Sequence, residues 1–195
     1  MEEKEAISRV KQGDLTGLEE LVNRYQVRAV YSAFLIVQDR MLAEEVAQNA
    51  FVKVAEKANL FDSARPFAPW FFRIVVNDAI KSARQEKCLK SLEEEPDDET
   101  KGLVEWLISP NPLPEQQVEF KESQDRLCQA MNALSPEQRA VVVMRYYLQM
   151  PEEEMSVRLG KPLTTVKWWL RAARKRLKSQ LQADEVEENS IWRQK

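Results

Sequence analysis

The chain has 195 residues, 32 acidic against 29 basic for a net charge of −3, with four glycines, two cysteines and no histidine. That length suits one large domain or two small ones, and the lack of histidine, with Cys88 and Cys128 far apart, excludes a Cys/His zinc site and histidine acid–base chemistry. No apolar run reaches membrane-spanning length and the acidic start Met1-Glu2-Glu3-Lys4-Glu5 lacks the order of a signal peptide, so a cytoplasmic protein with two ordinary thiols is expected.

Abundant Ala, Leu, Glu, Gln, Lys and Arg, without clustered alternating Val/Ile/Thr runs, predict an all-α fold. From about Glu3 to Lys87 the periodicity is helical, with breaks at Gly13-Asp14, at Asp39 and across Asp62 to Pro69. Leu42, Val46, Phe51 and Val54 form an apolar stripe within it, and Glu44, Glu45, Gln48 and Asn49 form the other side of the same helix, a polar face whose ordinary fate is solvation. The stretch from Asn59 to Arg73 then crowds Phe61, Phe67, Trp70, Phe71 and Phe72 with Arg65 and Arg73 into a proline-bracketed turn and helix start. Interleaved aromatics and arginines suit single-stranded nucleic acid, whose bases stack and whose phosphates need cations, although Trp70, Phe71 and Phe72 suit a core equally. Arg73, Asn77, Lys81 and Arg84 follow as one polar-basic stripe, placed to lie against DNA or water.

From about Cys88 to Pro114 the character changes. Glu93, Glu94, Glu95, Asp97, Asp98 and Glu99 surround Pro96, and Pro110, Pro112 and Pro114 follow, a composition that reads as a linker. Helical pattern resumes at Glu115, and Ser135-Pro136-Glu137-Gln138 supplies an N-cap, a first-turn proline and a capping-box glutamine. Around Leu159-Gly160-Lys161-Pro162 two short patterns, Met155 with Leu159 and then Val166, Leu170, Ala173 and Leu177, predict a helix-turn-helix whose second helix begins between Pro162 and Thr165. Between Arg158 and Leu181 there is no acid, and that local reversal of sign is the electrostatic footprint of a helix docking onto phosphates or, in the plainer reading, a solvated basic face. Thr164, Thr165, Lys167, Trp168 and Arg171 are the candidates for base edges; Arg174, Lys175 and Lys178 are the candidates for phosphates. The acidic tail after Gln182 reads as weakly structured or as a short docking segment.

The order of these parts resembles a bacterial RNA polymerase sigma factor of the small extracytoplasmic-function type, from about Gly13 to Leu181. Glu45-Val46-Ala47-Gln48-Asn49-Ala50-Phe51 is similar to that family's acidic-x-x-Gln-x-x-Phe motif, and Phe67-Ala68-Pro69-Trp70-Phe71-Phe72-Arg73-Ile74-Val75-Val76-Asn77 to its Phe-x-x-Trp-Leu-x-Arg-Ile-Ala-x-Asn segment. Leu134-Ser135-Pro136-Glu137-Gln138-Arg139 leading to Thr165-Val166-Lys167 completes the likeness. The resemblance implies two small helical domains, residues 1–87 and 115–182, joined by the acidic, proline-containing linker 88–114 and followed by the acidic tail 183–195. It further implies that Glu44, Glu45, Gln48, Asn49 and Phe51 dock onto core RNA polymerase, and that the turn from Phe61 through Arg65 to Phe67 captures a flipped base of the minus-ten element. Arg73, Asn77, Lys81 and Arg84 would follow the adjoining strand and duplex, the helix-turn-helix would read the minus-thirty-five element, and the linker would thread the polymerase toward its active centre. No cofactor is implied, and the protein would stabilise an open duplex without making or breaking a bond.

The chain departs from the family's habit at several positions. Asn49 stands where an acid is frequent, Lys81 where Asp is, Pro151 and Pro162 where Ser or Thr caps a helix, Trp168-Trp169 where small and basic residues are, and Ala172 where Arg is. Exposed paired indoles allow a further partner, such as an anti-sigma protein that covers the DNA-binding surfaces. A free-standing helix-turn-helix regulator would leave the aromatic–arginine turn and the polymerase-like motif unused, and net acidity opposes autonomous DNA binding. An enzyme would need a histidine, a Gly-rich phosphate loop or a nucleophile motif, which the sequence lacks.

Overall fold

A computed structural model describes residues 2–90 and 126–192; the expected linker from position 91 and the helical pattern expected from Glu115 to position 125 lie outside the described residues. The chain divides into two compact units, Met1–Pro96 and Asp97–Lys195. Among the described residues there are helices and turns and no strand.

In the first unit α1 spans Glu3–Lys11, α2 Leu15–Val37, α3 Arg40–Lys57 and α4 Phe67–Lys90, with a 3-10 turn Ala58–Leu60 after α3. Local chemistry sets the boundaries. Gly13 turns the chain with φ +82°, Asp14 caps α2 by accepting from the Thr16 amide at 2.9 Å, and Asp39 caps α3 by accepting from the Leu42 amide at 2.7 Å. The Thr16 amide and hydroxyl stabilise the Asp14 carboxylate and hold its pKa below the ordinary 3.8. The break expected across Asp62 to Pro69 is shorter: α4 starts at Phe67, because a proline in a first turn has no amide that the helix would use.

The core of this unit joins Val30, Phe34 and Ile36 of α2 to Val46, Phe51 and Val54 of α3 and to Phe71, Phe72, Val75 and Ala79 of α4. Lys53 and Asp78 pair across α3 and α4 at 2.7 Å. α1 seats closely on α2 where Gly17 lies, since a Cβ there would meet the Ala6 carbonyl oxygen at 2.3 Å and the Arg9 Cβ at 2.8 Å. A Tyr25 hydroxyl bond to Glu3 fixes the other end of α1.

In the second unit α5 covers residues 126–132, α6 Pro136–Val142 (continuing as a π turn, Val143–Tyr147), α7 Glu152–Leu159 and α8 Leu163–Trp192. The capping box forms as its sequence predicts: the Gln138 amide donates to Ser135 Oγ at 3.3 Å and the Ser135 amide donates to Gln138 Oε1 at 3.1 Å. Gly160, at φ +58°, ends α7 in the left-handed conformation, the Lys161 amide returns to the Ser156 carbonyl at 3.1 Å, and the Pro162 carbonyl accepts from Thr165 at 2.9 Å to start α8. Met144, Met155, Val166, Leu170 and Ala173 bury the seam of this helix-turn-helix. The tail expected to be weakly structured continues α8 as far as Trp192, because the sequence after Gln182 holds no glycine or proline to stop it.

Candidate nucleic-acid and polymerase interfaces

The first unit presents three surfaces that its core dictates. On α3 the buried stripe Ala43, Val46, Ala47, Ala50 and Val54 turns Glu45, Gln48 and Asn49 outward, while Glu44 is half-buried and ion-paired with Arg40 at 2.9 Å. Met41 and Val52 stand on that face at the helical spacing of Glu45 and Gln48, and they are 78% and 53% exposed. Sequence periodicity missed both, although an apolar residue on the polar side of an amphipathic helix was the available signal. Phe51 is placed differently from the motif-based expectation. It is buried 4.7 Å from the Phe71 ring, so it supports the face from beneath and does not form part of it.

The second surface is the turn between the 3-10 segment and α4. Phe61 and Phe67 are 4% and 2% exposed and meet edge to face at 5.6 Å, with the half-buried Trp70 ring 5.0 Å from Phe61. Their side chains therefore hold the turn from inside, a correction to the expectation that they face a base; the cause is that α1, α2 and α4 all need apolar side chains at this corner. The turn shows Asp62, Ser63, Ala64, Arg65 and Pro66 outward. It is ordered by its own bonds: the Ala64 amide donates to Asp62 Oδ1 at 3.0 Å and the Arg65 amide donates to the Asp62 carbonyl at 3.0 Å. The third surface is α4 itself, on which Arg73, Asn77, Lys81 and Arg84 are all exposed, opposite buried Val75, Val76, Ala79 and Ala83.

In the second unit the buried positions Val166, Leu170 and Ala173 turn Thr164, Lys167, Trp168, Arg171, Arg174, Lys175 and Lys178 outward, with Thr165 half-buried. Trp168 is 62% exposed and Trp169 partly covered, so the paired indoles are not equivalent. Arginines of the basic run are held by their own domain, Arg158 by an ion pair with Glu154. Arg174 donates from Nε to Tyr146 Oη at 2.8 Å and lies 5.9 Å from that ring, and Arg176 donates to the Ala133 carbonyl at 3.2 Å. Among the described residues no acidic, cysteine or histidine cluster suited to a metal is present and no helix is long and apolar enough to cross a membrane.

Comparison with known proteins gives the same division. The model of sigma-70 region 2 matches residues 21–88, and that of sigma-70 region 4 matches residues 124–177. The chain is 28% identical over 180 residues to the ECF RNA polymerase sigma factor SigW of Bacillus subtilis, covering 91% of this chain and 96% of that one. It is 31% identical over 140 residues to the ECF RNA polymerase sigma factor RpoE of Cereibacter sphaeroides, covering 71% and 72%. Its fold is similar to that of the sigma factor RpoE of Bartonella quintana, solved with the anti-sigma factor NepR, at a TM-score of 0.61 and 21% identity over 85% of this chain and 97% of that one.

Proposed function

The chain belongs to the sigma-70 family, in its extracytoplasmic-function branch, and from that premise we propose how its exposed faces divide promoter recognition among them. It directs RNA polymerase to specific promoters and so initiates transcription. Glu44, Glu45, Gln48 and Asn49, with Met41 and Val52, form the face that docks on core polymerase; the apolar pair supplies desolvation energy and the polar four supply register. The turn 61–66 receives one flipped base, with Arg65 as its outward cation, while Arg73, Asn77, Lys81 and Arg84 hold the adjoining phosphates. Thr164, Thr165, Lys167, Trp168 and Arg171 read the minus-thirty-five duplex, and Arg174, Lys175 and Lys178 grip its backbone.

The energetics require the division. Extracting a base costs a few kcal/mol, and with Phe61 and Phe67 turned inward the exposed turn offers that base no aromatic ring to stack on, so base capture alone does not offset the cost. The surplus that holds the strands apart comes from cations along the displaced strand, which act only where strand and protein run together, and from anchorage to polymerase and the upstream duplex. The protein in this reading works by binding, is not an enzyme, and acts in the cytoplasm where polymerase and chromosome meet. An anti-sigma protein covering these faces is a further partner, supported by the NepR complex of the Bartonella relative and by the exposure of Trp168.

The observation that carries the reading is that the two matched regions fall, in order, one on each compact unit. The test is size-exclusion co-migration of the full chain with core RNA polymerase, repeated with Gln48→Ala and Val52→Glu together. Co-migration by the intact chain and its loss in the variant are expected; failure of the intact chain to co-migrate overturns the docking assignment.

A further inference from the structure

Lys11 reaches the base-capture turn from a distant part of the sequence. It is the last residue of α1, and its Nζ donates to the Phe61 carbonyl at 2.7 Å and to Ser63 Oγ at 2.8 Å, with the ammonium 5.8 Å from the Phe61 ring centre. The platform behind it is closely packed. Ala6, Ile7 and Val10 bury one side of α1, Gly17 lets that helix approach α2, and Glu3 is tied to the Tyr25 hydroxyl. Asp62 orders the turn locally by accepting the Ala64 amide, the Phe61 amide donates to the Ala58 carbonyl at 3.1 Å, and Lys11 ties the entry of the turn to α1.

From this geometry we propose that Lys11 is a positioning residue for promoter opening, which presets the 61–66 turn in the shape that receives the flipped base. The proposal rests on the assignment of that turn as the base-capture site. A turn already in its receiving shape does not have to be ordered when the strand arrives, so the ammonium acts by lowering the cost of binding. A bond with a charged donor is among the stronger hydrogen bonds, so its loss lowers affinity for the single strand roughly tenfold.

The experiment uses the full chain assembled with core polymerase and a fluorescent single-stranded oligonucleotide selected from a random pool by the wild-type holoenzyme. Lys11→Met keeps the unbranched stem of the side chain and removes the ammonium; Lys11→Arg keeps donors; Arg65→Ala tests the turn itself. The expected result is a roughly tenfold weaker oligonucleotide affinity for Lys11→Met, recovery in Lys11→Arg, and unchanged association of both with core polymerase. Unchanged oligonucleotide affinity in Lys11→Met, with Arg65→Ala impaired, overturns the role of Lys11 and leaves the base-capture site standing. Parallel loss of polymerase association and oligonucleotide binding in Lys11→Met makes Lys11 a general structural residue and overturns it too. A silent Arg65→Ala removes the base-capture assignment and the Lys11 proposal with it.

Discussion

Replacing Lys178 by Gln and Arg171 by Ala should produce two different kinds of weakening, because the two side chains sit at different distances along one face of α8. Thr164, Lys167, Arg171, Arg174 and Lys178 repeat at three- and four-residue intervals and are all exposed. At 1.5 Å per residue Arg171 lies about 10 Å along the axis from Thr164, and Lys178 about 21 Å. The major groove is about 12 Å wide and 8.5 Å deep, so a helix entering by its first turns brings Arg171 to base edges and leaves Lys178 at the phosphate rim. Arg171→Ala should therefore cost about 1–3 kcal/mol on the preferred sequence relative to a scrambled one. Lys178→Gln should weaken both duplexes by a similar factor and flatten the slope of log K against log salt by about 0.9. Between 50 and 200 mM salt that change in slope makes the mutational deficit shrink by about threefold. The assay is fluorescence anisotropy of holoenzyme on labelled preferred and scrambled duplexes across a salt series. A selective loss in Lys178→Gln with an unchanged slope, or a flattened slope without loss of discrimination in Arg171→Ala, would refute the placement of α8 in the groove.

Other expectations are more local. Phe51→Ala and Phe67→Ala should each lower stability by about 3–5 kcal/mol in urea denaturation, since both rings are buried, whereas Gln48→Ala should leave stability within about 0.5 kcal/mol and weaken polymerase association. Arg65→Ala should leave footprints over the minus-thirty-five element intact while permanganate reactivity of melted minus-ten thymines is lost; melting at wild-type level counts against the turn. Gly17→Ala should destabilise, because about 1–3 kcal/mol of crowding against the Ala6 carbonyl exceeds the roughly 1 kcal/mol helix-propensity gain, and an unchanged thermal midpoint would contradict the close seating of α1. The Asp14 pKa is depressed on folding by its bonds to Thr16, so its stabilising contribution is present above the unfolded value and fades as pH falls toward the folded one; Asp14→Asn should reduce the loss of melting temperature on acidification.

What the sequence made readable was what local chemistry decides. Asp14, Asp39, Ser135 and Gly160 each act on their own neighbours, so the ends of α2, α3, α6 and α7 follow from a few adjacent residues. The apolar spacing of Val166, Leu170 and Ala173 likewise fixed which side of α8 turns outward. Less accessible was anything settled by a partner distant in sequence. Whether Phe61 and Phe67 face a base or the interior depends on α1 and α2 closing over them, and the contact of Lys11 with Phe61 and Ser63 leaves no trace in periodicity. Pro69 read as a break because proline is usually one, while its place in the first turn of α4 removed the conflict. Met41 and Val52 were hidden for the opposite reason: an apolar residue is read as core until its neighbours show that no core lies on that side.

The laying of Arg174 on Tyr146 bears on how the duplex is met as well as on how it is held. A free guanidinium side chain samples many rotamers and gives up about 2 kcal/mol of that freedom when it is fixed on a phosphate. Tyr146 belongs to the π turn after α6, so the phenol comes from a separate segment and narrows that sampling before any DNA arrives. In the proposed docking on DNA, Lys175 and Lys178 would reach phosphates by rotamer search, whereas the contact with Tyr146 restricts Arg174 beforehand.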